Sequence, residues 1–170
     1  VDPEPLYYAL DELEAKVFDH TIVALTRNLK YARYQPLRYY TAARDDATQM
    51  AQSQANLATF MKVLIVKRLE SSFTAFRLTL ERLILSYERV LETVLDGKVF
   101  VSKKHMAQLF ERLESGDDLG VAQLLDSDKA EQLLATDFTP QFADDLRHDL
   151  AILHELRDQW TRVRRDPKWD

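Results

Sequence analysis

Apolar positions recur at helical spacing along most of the chain, and one stretch dominates. Between Ser53 and Leu95, residues Leu57, Phe60, Met61, Leu64, Ile65, Leu69, Ser72, Phe76, Leu80, Leu83, Ile84, Tyr87, Leu91, Val94 and Leu95 keep steps of three and four. That is the signature of one buried helix face. No Pro or Gly interrupts it. As a single helix it would reach roughly 60 Å at the standard rise per residue, more than the width of a compact domain of this size. Two geometries satisfy the pattern: a projecting arm, or a bend at Ser71-Ser72, where paired serines can kink a helix. Asp96-Gly97 ends the stretch, with Gly97 in the C′ position.

The flanking patterns predict further helices. Asp2-Pro3 offers an N-cap followed by Pro at the first helical position. Leu6, Leu10, Leu13, Val17, Ile22, Leu25 and Leu29 then continue an amphipathic face until Pro36 breaks it at Gln35. Pro36 to Gln52 reads as loop or short helix. Val99-Phe100-Val101 is a short extended segment. Ser102 caps a modest helix to about Ser115, Gly116 to Gly120 is a turn, and Val121 to Ala135 reads as one or two short helices. Thr139-Pro140 opens a last long helix with Phe142, Leu146, Leu150, Leu153, Leu156, Trp160 and Val163 on one face, stopped by Asp166-Pro167.

Composition narrows the class. With three Gly and five Pro in 170 residues, turns are scarce and the elements must be few and long, which favours helices. Hydrophobic residues at 46% and charged residues at 30% describe neither a disordered chain nor a membrane protein. The absence of Cys excludes disulfides, Cys-zinc sites and thiol nucleophiles, and fits a cytoplasmic setting. The missing initial Met fits processing or excision from a longer chain. The net charge of −5 conceals segregation. Between Asp19 and Asp45 every charge is basic: Arg27, Lys30, Arg33, Arg38 and Arg44. Residues Glu111 to Asp149 are strongly acidic, and Arg162, Arg164, Arg165 and Lys168 make the end basic again.

No complete catalytic site is visible. Three scattered glycines cannot build a phosphate-cradling loop. Asp11-Glu12-Leu13-Glu14 imitates the Asp-Glu box of ATPases, but it lies within an amphipathic pattern and reads as a solvated helix face. No two of His20, His105, His148 and His154 have the spacing that brings two imidazoles to one metal. Asp144, His148 and Glu155 could share a face as hard ligands, against the plainer reading of a surface charge network. In Tyr31 to Tyr40, aromatics interleave with Arg33 and Arg38. Such a segment can stack on bases and neutralise phosphates, or pack structurally, with half-buried tyrosines and arginine stems over apolar surface. Arg68 falls near the apolar stripe, where a charge needs a partner from another element. Ser71 and Ser72 are small enough for a packing joint.

Met61-Lys62-Val63-Leu64-Ile65-Val66-Lys67-Arg68-Leu69-Glu70-Ser71-Ser72, continuing through Ala75-Phe76 and Thr79-Leu80 to Arg82, resembles a segment of large bacterial superfamily-two helicases of the Swi/Snf type. These often carry a phospholipase-D-like nuclease domain. In them, a Lys-Arg-Leu-Glu-Ser-Ser string follows the first RecA-like motor lobe. Ala32-Arg33-Tyr34-Gln35-Pro36-Leu37 is similar to a string that precedes it there, and Asp166-Pro167-Lys168 to one that introduces the second lobe. Residues Lys98 to Phe138 match no named pattern. The resemblance implies a helical region between two motor lobes, flanking the duplex path and coupling lobe closure to movement on DNA. ATP and magnesium would be bound by those lobes. No catalytic, cofactor or metal residue of the family maps onto this chain.

The expectation is therefore a single all-α domain over residues 1–170, elongated, with long antiparallel helices and a central helix of unusual length. Its partners would be the motor lobes and DNA, with no membrane. The DNA-contact candidates are Arg27, Lys30, Arg33, Arg38, Lys67, Arg68, Arg162, Arg164 and Arg165. Val1 and Trp169 should lie near each other if the domain is inserted between lobes. The competing expectation is a stand-alone helical module that binds a protein through exposed apolar surface.

Overall fold

The computed structural model describes residues 10–101 and 131–163. The sequence expectations for Asp2-Pro3, Ser102 to Ser115, Gly116 to Gly120, Val121 to Ala130, Arg164, Arg165, Asp166 to Lys168 and the chain ends fall outside them. Four α-helices make up most of the described chain: α1, Glu12–Val23; α2, Ala47–Ser71; α3, Phe73–Leu95; and α4, Gln141–Trp160. Two strands, β1 (Lys98–Val101) and β2 (Glu131–Leu134), pair antiparallel, Val99 opposite Leu133. The fold is all-α with this small ribbon attached.

The expected central helix of unusual length is not formed: the periodic stretch is two helices, and of the two geometries its pattern allows, the bend at the serine pair is the one adopted. Ser72 is extended (φ −164°, ψ 123°), ends α2 and caps α3, its Oγ accepting from the Ala75 N–H at 3.2 Å. Ser71 Oγ donates to the Arg68 carbonyl at 3.2 Å. The bend folds the helices toward each other. Arg68 Nη1 donates to Thr79 Oγ1 at 3.1 Å, across eleven residues that a straight helix would spread over about 16 Å. Lys62 lies over the Tyr31 ring at 5.6 Å while Ser86 accepts from Arg33 Nε at 2.7 Å, so both helices reach the same short segment. A straight helix would hold positions 62 and 86 about 36 Å apart. The projecting arm is thereby excluded. Leu69 and Phe73, on either side of Ser72, are fully buried, which makes the joint a packed corner.

α4 runs antiparallel to α3. Trp160, at its C-terminal end, meets Phe73 and Phe76 at ring distances of 4.7 and 5.3 Å. Tyr87 and Glu88, further along α3, meet Asp149 and His154. α1 is antiparallel to α4 as well, with Thr21 accepting from Trp160 Nε1 at 2.8 Å and Asn28 accepting from His148 at 3.0 Å. Trp160, Phe73, Phe76, Phe142, Leu25 and Ile65 are among the largest fully buried side chains and join α1 through α4 in one core.

Three further sequence expectations are corrected. α1 begins, within the described residues, at the Asp11 cap, whose Oδ1 accepts from Glu14 N at 2.8 Å. It does not run on to Gln35: it widens into a π-turn at Ala24–Asn28, and Leu29 is extended (φ −69°, ψ 135°). The backbone N–H groups of Lys30 and Ala32 donate to Asp149 on α4 instead of to the preceding turn, so a buried acceptor ends the helix before Pro36 does. Second, the 131–134 part of the segment expected to be helical is strand β2, because its backbone pairs with β1. Third, the Asp11–Glu14 face is not wholly solvated: Glu14 is buried, whereas Leu13 is exposed.

Removing the Ser72 cap with Ser72→Ala should lower stability by about 1 kcal/mol, measured by chemical denaturation. Helical content should be retained, because Leu69 and Phe73 still anchor the corner.

Candidate nucleic-acid interface

Tyr31 to Tyr39 forms two short 3-10 turns, Ala32–Tyr34 and Pro36–Tyr39. Tyr31 takes the left-handed conformation (φ 54°, ψ 37°), which costs a non-glycine residue about 1–3 kcal/mol. It is held there by its own hydroxyl, which donates to the Leu25 carbonyl at 2.7 Å, and by the next N–H, fixed on Asp149. Tyr31, Ala32, Tyr34, Leu37 and Tyr39 are all buried. The aromatics are therefore core residues and offer no stacking platform to a base.

The basic candidates divide into two groups. Arg33 is buried: its Nε donates to Ser86 Oγ at 2.7 Å and its guanidinium lies 5.9 Å from the Tyr34 ring centre. Lys30 gives its backbone N–H to Asp149 at 2.8 Å and its ammonium to Asp145 at 3.1 Å. Arg68 is half-buried and engaged with Thr79. These three serve the fold. Arg27, Arg38, Lys67 and Arg162 are exposed. The joint serines differ: Ser71 is exposed and Ser72 half-buried. Arg44, from the same basic run, bonds Asp46 and Glu131, the latter at 2.8 Å, tying the loop before α2 to β2.

The most demanding polar groups are two aspartates that no sequence motif singles out. Asp149 is fully buried on α4. One carboxylate oxygen accepts from the Lys30 N–H at 2.8 Å, and the other from the Ala32 N–H at 3.0 Å and the Tyr87 hydroxyl at 2.8 Å. One turn earlier, Asp145 accepts from the Tyr39 hydroxyl at 2.7 Å, Gln141 Nε2 at 2.6 Å and the Lys30 ammonium. Burial opposes ionisation of Asp145, yet the bonds from Tyr39, Gln141 and Lys30 outweigh it and hold the carboxyl below its ordinary value. Burial, reinforced by these carboxylates, pushes the Tyr31, Tyr39 and Tyr87 hydroxyls well above theirs. A signal did exist: positions 142, 145, 146, 149, 153, 156 and 160 form one continuous stripe, so both aspartates sit inside the apolar face of α4.

The hard-ligand trio is not assembled. Asp144 pairs with Arg147 at 3.4 Å, His148 donates to the Asn28 carbonyl, and Glu155 lies 3.6 Å from His20. No metal-binding group of three His, Asp or Glu occurs among the described residues. None of their helices is long and apolar enough to cross a membrane. No family model matches this chain, and neither a curated protein nor a solved structure shows detectable similarity to it.

Asp149→Asn should cost about 3 kcal/mol, because an amide turns a donor toward buried donors. Tyr87→Phe should cost about 1 kcal/mol, and the double variant less than the sum, since both act on one network. Denaturation of the three variants checks this. The tyrosines fix the alkaline limit. Raised folded values mean that their contribution is complete below the ordinary tyrosine value near 10 and is lost as pH rises past it. Tyrosinate absorbance from Tyr31, Tyr39 and Tyr87 should therefore appear together with loss of helical circular dichroism. Asp145 works in the opposite direction. Its lowered value makes its contribution complete above the ordinary aspartate range and lost as pH falls below it.

Proposed function

We propose that this chain is a non-catalytic helical domain of an ATP-dependent DNA helicase or translocase. It would sit between two RecA-like lobes that themselves bind ATP and magnesium, in the cytoplasm. One observation carries the reading. The two resembling segments within the described residues, Ala32–Leu37 and Met61–Arg82, meet in a single core. Ala32, Tyr34 and Leu37 of the first share one buried cluster with Met61, Ile65, Leu69, Phe73, Phe76 and Leu80 of the second, and residues bordering each segment bond the other's neighbourhood, as Lys62 over Tyr31 and Arg33 to Ser86 do. Both strings thus belong to one folding unit, as the reading of a single domain between two lobes requires.

The geometry suggests how such a domain would work. Trp160 locks α4 against the start of α3, and the Asp145–Asp149 pair locks it against the chain leaving α1. A body joined at both ends of α4 moves as a unit and can carry a displacement from one lobe to the other. Arg27, Arg38, Lys67 and Arg162 are the cations left to face phosphates. Lys30, Arg33 and Arg68 support the fold. The second reading, a stand-alone interaction module, is favoured by the open apolar seam at the end of α3.

Replacing Arg27, Arg38, Lys67 and Arg162 by Ala in the intact parent protein should weaken DNA binding. The log–log salt slope should become shallower by up to about 0.9 for each phosphate that is no longer neutralised. An unchanged slope removes DNA from the partners. A parent reading frame without a phosphate-binding loop and an Asp-Glu box on either side of this chain would favour the interaction module.

A further inference from the structure

We propose that the open seam between the C-terminal part of α3 and the middle of α4 docks a basic amphipathic helix of a partner protein. Leu91 and Leu95 of α3 and Leu150 of α4 floor a groove of about 390 Å³. Its rim is Glu88, Glu92 and Asp96, spaced four residues apart along one edge of α3. Leu95 is 64% exposed, although it continues the apolar stripe that buries Leu80, Ile84 and Tyr87. The stripe therefore extends past the core into a surface that nothing among the described residues covers.

The charge at this place specifies the occupant. The last turn of α3 contains no basic residue, and a helix C-terminus already carries negative partial charge. The rim carboxylates add to that field instead of offsetting it. Glu88 has His154 at 3.3 Å, whereas no ion pair engages Glu92 or Asp96 among the described residues. Such a rim repels DNA phosphates, so it is not a surface for DNA. An apolar floor under an acidic edge matches a helix with leucine-like side chains at i, i+3/i+4 and i+7 and with Lys or Arg beside them. The ion pairs then set specificity and association rate. The groove is open along the seam, which suits a row of side chains better than an enclosed small molecule.

The test titrates the full chain with a labelled helical peptide of Leu and Lys, apolar on one face, and with its Leu/Glu counterpart. Saturable binding of the Lys peptide is expected, weakening as salt rises. Glu92→Lys with Asp96→Lys should reduce affinity about tenfold or more, and Leu95→Ser should reduce it comparably. These positions are exposed, so the variants should fold. Equal binding of the Glu peptide, no binding at physiological salt, or affinity unchanged in both variants would overturn the proposal. Self-association of the chain that Leu95→Ser abolishes would overturn it too, by assigning the seam to a second copy.

Discussion

The buried Asp149 carboxylate constrains the rest of this molecule. A charge removed from water costs several kcal/mol unless it is fully hydrogen-bonded, and here two backbone N–H groups and one phenol supply the bonds. Those donors come from the chain leaving α1 and from α3. To deliver them, α1 must stop at a π-turn, Tyr31 must turn left-handed, and Tyr87 must face α4. One acceptor thus fixes the relative position of three segments. Asp145, a turn away, repeats the device with Tyr39 and Lys30. Its lowered pKa shows that hydrogen bonding outweighs burial there.

This network changes what the basic segment means. Aromatics interleaved with arginines are compatible with both nucleic-acid stacking and core packing, because Tyr and Arg each have an apolar body and a polar tip. The pattern alone does not distinguish them. Burial of Tyr31, Tyr34 and Tyr39 and the Arg33–Ser86 bond give the segment to the core. Among the candidates, Arg27, Arg38, Lys67 and Arg162 are exposed, while Lys30 is exposed but bonded to Asp145. Acidic and apolar groups gather instead at the far end of α3, around Leu91, Leu95 and Leu150.

Legibility varied with the range of the interaction involved. The α4 stripe and the Asp96-Gly97 terminus (φ +93° at Gly97) were readable, and Ser71-Ser72 was readable as a place where a bend could form, since each depends on neighbours within a turn or two. The strand at Glu131–Leu134 was not, because its pairing partner lies across a long intervening segment. The early end of α1 was not readable either. Nothing local opposes helix at Leu29 to Ala32; the competing acceptor is more than a hundred residues away. The intramolecular partners of the candidate cations Lys30, Arg33 and Arg68 were not readable for the same reason, each being supplied by another element.

By itself the sequence determined the helical class, the face each long helix buries and the one place, Ser71-Ser72, where the central stretch could bend. Periodicity, capping and scarce turn residues act over a few residues and leave a direct imprint on the chain. Only the tertiary structure decided that the corner folds α2 and α3 back onto one short segment, that the aromatic-basic run is core, and that two aspartates within an apolar stripe hold it there. Those outcomes depend on desolvation. Whether a polar group is satisfied or stranded is set by donors arriving from distant parts of the chain, and local patterning carries no record of where they will be.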